Sequence, residues 1–117
     1  MTEGGRTARV SEEFREVLAE EIQRLKDPRV GFVTVTGVKV TADLRKARVF
    51  YTVYGDEKAK AGTRAALRSA RSHLRSVLGH EVRLKFLPEL EFEEDRAMEK
   101  AQRIEELLKE VSPDQPE

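Results

Sequence analysis

The sequence predicts an α+β fold, a three-stranded sheet covered on one face by helices. Three observations carry this. Two β-branched stretches, "FVTVTGVKV" and "ARVFYTVY", alternate apolar and polar residues and are separated by only a few residues. Helical apolar stripes flank that pair on both sides, around Phe14–Leu25 and Leu67–Leu78. Apolar and charged residues each make up 38% of the 117 residues, which allows one modest core and therefore one domain of two layers.

In chain order, residues 1–9 are small, polar and glycine-containing and read as a flexible arm. Ser11 is placed to cap a first helix, with Glu12 and Glu13 at the positive end of its dipole. Phe14, Val17, Leu18, Ile22 and Leu25 form its apolar stripe, and Pro28 stops it by pushing the preceding residue out of the α region. In "GFVTVTGVKVT" the alternation slips at Gly37. Val33 and Val35 share one parity and Val38 and Val40 the other, so a bulge there keeps all four on the core side. "ARVFYTVYG" places Ala47, Val49, Tyr51 and Val53 on one side, and the short link makes the two strands an antiparallel hairpin.

"GDEKAKAG" reads as a loop or frayed turn, Thr63 as the cap of the next helix and Gly79 as its end. In "EVRLKFLPELEF", Val82, Leu84 and Phe86 alternate with Arg83 and Lys85 as a third strand region, and Pro88 demotes its far half to an edge or bend. Met98, Ala101, Ile104, Leu108 and Val111 mark a last amphipathic helix before "SPDQPE", which has the composition of a disordered end. The organisation expected is an arm at 1–9, a folded domain at 10–92, and an acidic helix and tail at 93–117.

The formal net charge is zero, but the charges are segregated. Residues 64–85 carry six bases and one acid, whereas residues 86–117 carry four bases and eleven acids. Within "RAALRSARSHLRSVLG", Arg64, Arg68, Arg71 and Arg75 recur at i, i+4, i+7 and i+11 and share one helical face. Leu67, Ala70, Leu74, Val77 and Leu78 form the neighbouring apolar stripe, and Ser69, Ser72 and Ser76 are small enough for close approach. Solvated helix faces commonly alternate signs at i,i+4, because like charges there repel. A row of one sign points to an anionic partner, either a phosphate backbone gripped by guanidinium forks or the chain's own acidic tail. "LRK" at 44–46, followed by Arg48, makes a basic hairpin tip, which serves equally as a phosphate contact or as an ordinary exposed loop.

Other chemistries lack their machinery. There is no cysteine, so disulfides, thiolate metal sites and thiol nucleophiles are excluded, in keeping with a reducing, cytoplasmic setting. His73 and His80 have no carboxylate at ligand spacing, no phosphate-binding glycine motif occurs, and the serines form no triad pattern. No catalytic residue, metal site or cofactor is expected, and no apolar run has membrane-spanning length. Phe50 and Tyr54 lie opposite the core parity of Tyr51, where base stacking competes with packing against a helix.

"KDPRVGFVTVTGVKVTADLRKARVFYTVYG", "LPELEF" and "RIEELL" stand in the order found in bacterial ribosome-binding factor A, and the chain resembles that family from about Arg9 to Phe92 and again at 103–108. The resemblance implies a type II KH-like fold, in which the basic helix is two helices joined by a kink, giving α-β-β-α-(kink)-α-β plus a C-terminal helix. It implies a non-catalytic, monomeric assembly factor that binds the rRNA of free small ribosomal subunits, rather than translating ribosomes, during late maturation and supports rRNA processing. Arg68, Arg71 and Arg75 would grip phosphates beside Arg64, Ser72 and Ser76 would permit close approach, and Arg45, Lys46, Arg83 and Lys85 would extend the patch. The alternative is a protein–protein adaptor whose basic helix meets an acidic partner. The family's Ala-x-Gly break corresponds here to Ala70-Arg71-Ser72, with serine in place of the glycine.

Overall fold

The computed structural model describes residues 3–111. Met1, Thr2 and the "SPDQPE" end lie outside the described residues. Seven elements follow in order: α1 (Glu3–Gln23), β1 (Phe32–Val40), β2 (Lys46–Tyr54), α2 (Glu57–Ser69), α3 (Arg71–Val82), β3 (Glu89–Glu94) and α4 (Ala97–Val111). The sheet order is β1-β2-β3, with β1 antiparallel and β3 parallel to the central β2.

The hairpin matches its sequence pattern. Val33 faces Val53 and Val38 faces Val49, and the register shifts between Val35 and Gly37. That bulge lets Val35 enter the core while Val33, Val38 and Val40 pack against it. Ala47, Val49, Tyr51 and Val53 of β2 are all buried. Helices α1, α2 and α3 cover this face with Phe14, Leu18, Ile22, Leu67, Leu74 and Leu78, each at most 1% exposed. Each such side chain contributes about 1.5–3 kcal/mol relative to exposure, so these residues hold the helices on the sheet. The opposite face is open: Phe32 and Tyr54, directly paired across the hairpin, are 80% and 84% exposed.

Several boundaries differ from the sequence reading. The first helix begins at Glu3, so residues 3–9 are helical rather than an arm outside it, and Ser11 lies within the helix instead of capping it. It ends at Gln23, ahead of the proline. Helix α2 begins at Glu57, where Asp56 Oδ1 accepts the Ala59 N–H at 2.9 Å. Thr63 is therefore interior to α2, fully buried, and its Oγ1 accepts the Gly31 N–H at 3.0 Å. Helix α3 runs through Gly79 to Val82 and ends on Arg83, whose left-handed backbone (φ 58°, ψ 53°) turns the next N–H, that of Leu84, back onto the Gly79 carbonyl at 3.2 Å. Residues 84–88 are consequently a loop, and the third strand lies beyond Pro88 rather than before it, reaching two residues into the span assigned to the acidic tail.

The break between α2 and α3 is a single residue. Ala70 takes φ −88° and ψ 1°, and Ser72, at the position of the family's glycine, has no positive φ, so the break requires no glycine. Ser72 sits in the first turn of α3. Helix α4 leaves the body of the fold, with Met98, Ile104, Leu107 and Leu108 all at least half exposed. Its start is fixed by the Asp95 N–H on the Tyr51 carbonyl, by Thr36 on Asp95, and by Lys60 on Glu99 at 3.1 Å. No helix among the described residues is long and apolar enough to cross a membrane.

Candidate nucleic-acid interface

The core stripe of α2 and α3 fixes where the arginines point. Leu67, Leu74 and Leu78 face inward, which leaves Arg64, Arg68, Arg71, Ser72 and Ser76 exposed. Arg64 lies beside the Tyr51 hydroxyl at the start of the stripe, where it opposes the upward push that burial and Glu94 give the tyrosine pKa.

Arg75 differs from the others. It is half-buried, its Nε donates to the Pro88 carbonyl at 2.7 Å, and its Nη2 donates to the Leu87 carbonyl at 3.2 Å. The guanidinium expected to grip phosphate is therefore committed to fastening the loop before β3. Its charge remains part of the stripe, but its fork is occupied.

A second basic group gathers at the hairpin tip. Thr41 Oγ1 donates to Asp43 Oδ1 at 2.7 Å and accepts the Lys46 N–H, while Asp43 also accepts the Arg45 N–H. These bonds hold the Asp43 carboxyl below its ordinary pKa, the Thr41 hydroxyl being the largest cause. Leu44, at φ 62°, completes the tight turn. The Glu89 N–H donates to the Arg45 carbonyl at 2.8 Å, which ties the tip to the start of β3. Arg45 thereby meets the 84–88 loop, its guanidinium carbon 4.2 Å from the Phe86 ring centre, with the Lys85 ammonium 5.8 Å from the same ring. Lys46 is exposed opposite Glu89, and Arg83 is exposed at the end of α3. The structure thus joins Arg45, Lys85 and Arg75 through one loop and places Arg64 midway along α2. Phe86, assigned by its alternation to the interior of a strand, is instead exposed on this basic loop; the X-Pro step two residues later is the signal that marks a loop there.

Ion pairs engage six of the basic side chains. Arg15, Arg24, Arg29, Arg48, Lys60 and Arg96 each have a carboxylate within 4 Å. Among the described residues, no such pair is found for Arg45, Lys46, Arg64, Arg68, Arg71, Arg75, Arg83 or Lys85. Among the described residues no carboxylate of α4 lies within 4 Å of a stripe arginine; Glu99 pairs with Lys60 of α2. His73 of α3 lies 3.7 Å from Glu21 of α1, a contact between packed helices. Cations without carboxylate partners keep a field that attracts polyanions, and a guanidinium such as that of Arg68 or Arg71 then has its fork available for phosphate.

Comparison with known proteins decides the family. The family model for ribosome-binding factor A matches residues 6–108. The chain belongs to the ribosome-binding factor A family. A relative of that name from Geobacter sulfurreducens is 47% identical over 107 residues, covering 91% of each chain. One from Streptomyces griseus is 46% identical over 109 residues, 92% of this chain and 69% of the relative. The crystal structure of ribosome-binding factor A from Thermus thermophilus superposes with a TM-score of 0.69 at 35% identity, covering 78% of this chain and 98% of that one. A homology model of Thermus thermophilus ribosome-binding factor A, fitted into a cryo-EM map of its 30S complex, gives 0.66 at 36% identity, covering 77% and 96%. The α+β architecture expected from the resemblance is therefore the observed one, and the family is one of ribosome-binding factors rather than of catalysts.

Proposed function

We propose that this protein binds the small ribosomal subunit through its rRNA during late maturation, supports rRNA processing, and leaves before translation. It acts as a cytoplasmic monomer, with contact made by the folded body at 10–92 and the acidic segment at 93–117 held apart from the RNA. The observation that carries the reading is the run of Arg64, Arg68, Arg71 and Arg75 on α2 and α3, none of which has a carboxylate within 4 Å among the described residues, whereas Arg15, Arg24, Arg29, Arg48 and Arg96 each have one. The Thermus thermophilus relative fitted into a 30S complex supports the choice of partner. Arg68 and Arg71 take backbone phosphates, Arg64 and Arg75 add charge, Ser72 and Ser76 allow close approach, and Arg45, Lys46, Arg83 and Lys85 extend the track. Phosphate contacts position the protein, and selectivity comes from RNA shape and exposed bases.

A sucrose-gradient profile of a bacterial lysate containing the protein tests this. The protein is expected in the free small-subunit fractions and absent from translating ribosomes. Migration only at the top of the gradient at low salt, or with polysomes, overturns the proposal.

A further inference from the structure

We infer that Phe86 is a stacking platform for an unpaired RNA base, with Arg45 as the cation that backs it. The inference rests on the RNA-binding reading above and adds a base contact to a site otherwise made of phosphate contacts.

The loop that carries Phe86 is held from several sides. Pro88 is fully buried, and Arg75 fastens the carbonyls of Leu87 and Pro88. Leu87 rests on α3 at Gly79, where an added Cβ would lie 2.1 Å from Leu87 Cδ2. The helix is bare there because the loop needs the space. Arg45 comes from the other side on a hairpin tip closed by Thr41 and Asp43 and tied to Glu89. Both partners are thus presented by pinned backbone, and the aromatic they present faces solvent: Phe86 is 47% exposed.

An exposed cation over a phenyl ring is worth only about 0.5–1 kcal/mol, too little to explain a loop fastened at so many points. The chemistry of the surroundings identifies the ligand. Arg45 and Lys85 lie against the Phe86 ring, and Lys46 and Arg83 are the exposed chain neighbours of that pair on the tip and the loop. None of the four has a carboxylate within 4 Å among the described residues. A flat apolar ring inside a patch of positive charge matches a nucleotide, whose base stacks while its phosphate is neutralised. A planar guanidinium stacks on a base as readily as on a ring, so Arg45 can hold a base against Phe86 without leaving the cluster. Duplex RNA keeps its bases paired and stacked, so the ligand is single-stranded.

The chain contains no tryptophan, so Phe86→Trp supplies a single indole as an emission probe. The ligands are a fluorescein-labelled rA12, a duplex of the same length, and isolated small subunits. Saturable quenching of the indole emission by rA12, tracking the anisotropy of the label, is expected, with none from the duplex. Phe86→Ala is expected to lower rA12 affinity about 5- to 150-fold while leaving the slope of log affinity against log salt unchanged, since no phosphate contact is lost. If rA12 binds without quenching, or fails to bind while small subunits still do, the stacking inference is overturned and the RNA-binding reading stands. If neither binds, both fall.

Discussion

Replacing Arg75 by alanine separates two roles that the spacing of the arginine stripe merges. If all its arginines only reach outward for phosphate, Arg75→Ala leaves stability untouched, as Arg68→Ala does. The structure gives Arg75 another task, because its guanidinium bonds the Leu87 and Pro88 carbonyls, the nearer in part-buried surroundings. A hydrogen bond to a charged group is worth about 1.5–3 kcal/mol, and a buried acceptor left alone costs about 1–3 kcal/mol. The second bond is exposed and adds little. A loss of about 2 kcal/mol follows. At about 4 °C per kcal/mol for a domain of this size, the melting temperature should fall by roughly 8 °C. Arg75→Lys keeps the charge but cannot span both carbonyls with one ammonium, so it should recover less than half of that loss. Arg68→Ala should stay within about 0.5 kcal/mol of the parent, as exposed substitutions do. Circular dichroism melts and urea titrations of the three variants read this out. Equal melting of Arg75→Ala and Arg68→Ala would refute the fastening role and restore Arg75 as a free phosphate ligand.

Two further outcomes follow from the same contacts. Thr63→Val removes the acceptor for the Gly31 N–H while keeping the shape, and should cost about 1–3 kcal/mol; Thr63→Ser keeps the bond and should be less affected, a ranking that denaturant titration checks and the reverse order contradicts. Asp27 is held down to about 2, chiefly by the Arg29 guanidinium and then by the Arg29 N–H, against about 3.9 in an unfolded chain. The unfolded state therefore binds its proton first as pH falls. The stability this carboxylate confers is complete above about pH 5 and is lost as pH drops through 4 towards 2. The melting-temperature gap between the parent and Asp27→Asn should accordingly close over that window, and a gap constant from pH 7 to pH 2 would contradict it.

The hairpin, its bulge and the helical core stripes were legible because each rests on a local period. Val33, Val35, Val38 and Val40 declare both the strand and the slip at Gly37, and the inward residues of β2 alternate without error. Two of the misread boundaries, the start of α2 and the end of α3, share one cause. Gly62 and Gly79 look like helix punctuation, yet both lie inside helices, where missing side chains admit another part of the chain. A Cβ at Gly62 would stand 3.1 Å from the Arg29 carbonyl oxygen, and one at Gly79 would strike Leu87. A close approach from a distant segment leaves no periodic trace, so in sequence such a glycine reads as a stop. The real stop, Arg83 in a left-handed conformation, is a residue type that seldom signals one. The site was half legible for the same reason: spacing placed Arg68 and Arg71 on an exposed face, but Arg75's bonds to Leu87 and Pro88 and Phe86's place beside Arg45 depend on contacts that only the fold brings together.

The central claim is that unpaired arginines of α2 and α3 neutralise phosphates of small-subunit RNA. Its most direct test is the salt dependence of binding to purified small subunits, measured for the parent and for Arg68→Ala/Arg71→Ala. Each lost phosphate contact should lower the slope of log affinity against log salt by about 0.7–0.9, so the double variant should be shallower by roughly 1.4–1.8 and weaker at low salt. Identical slopes for the two proteins would contradict the claim.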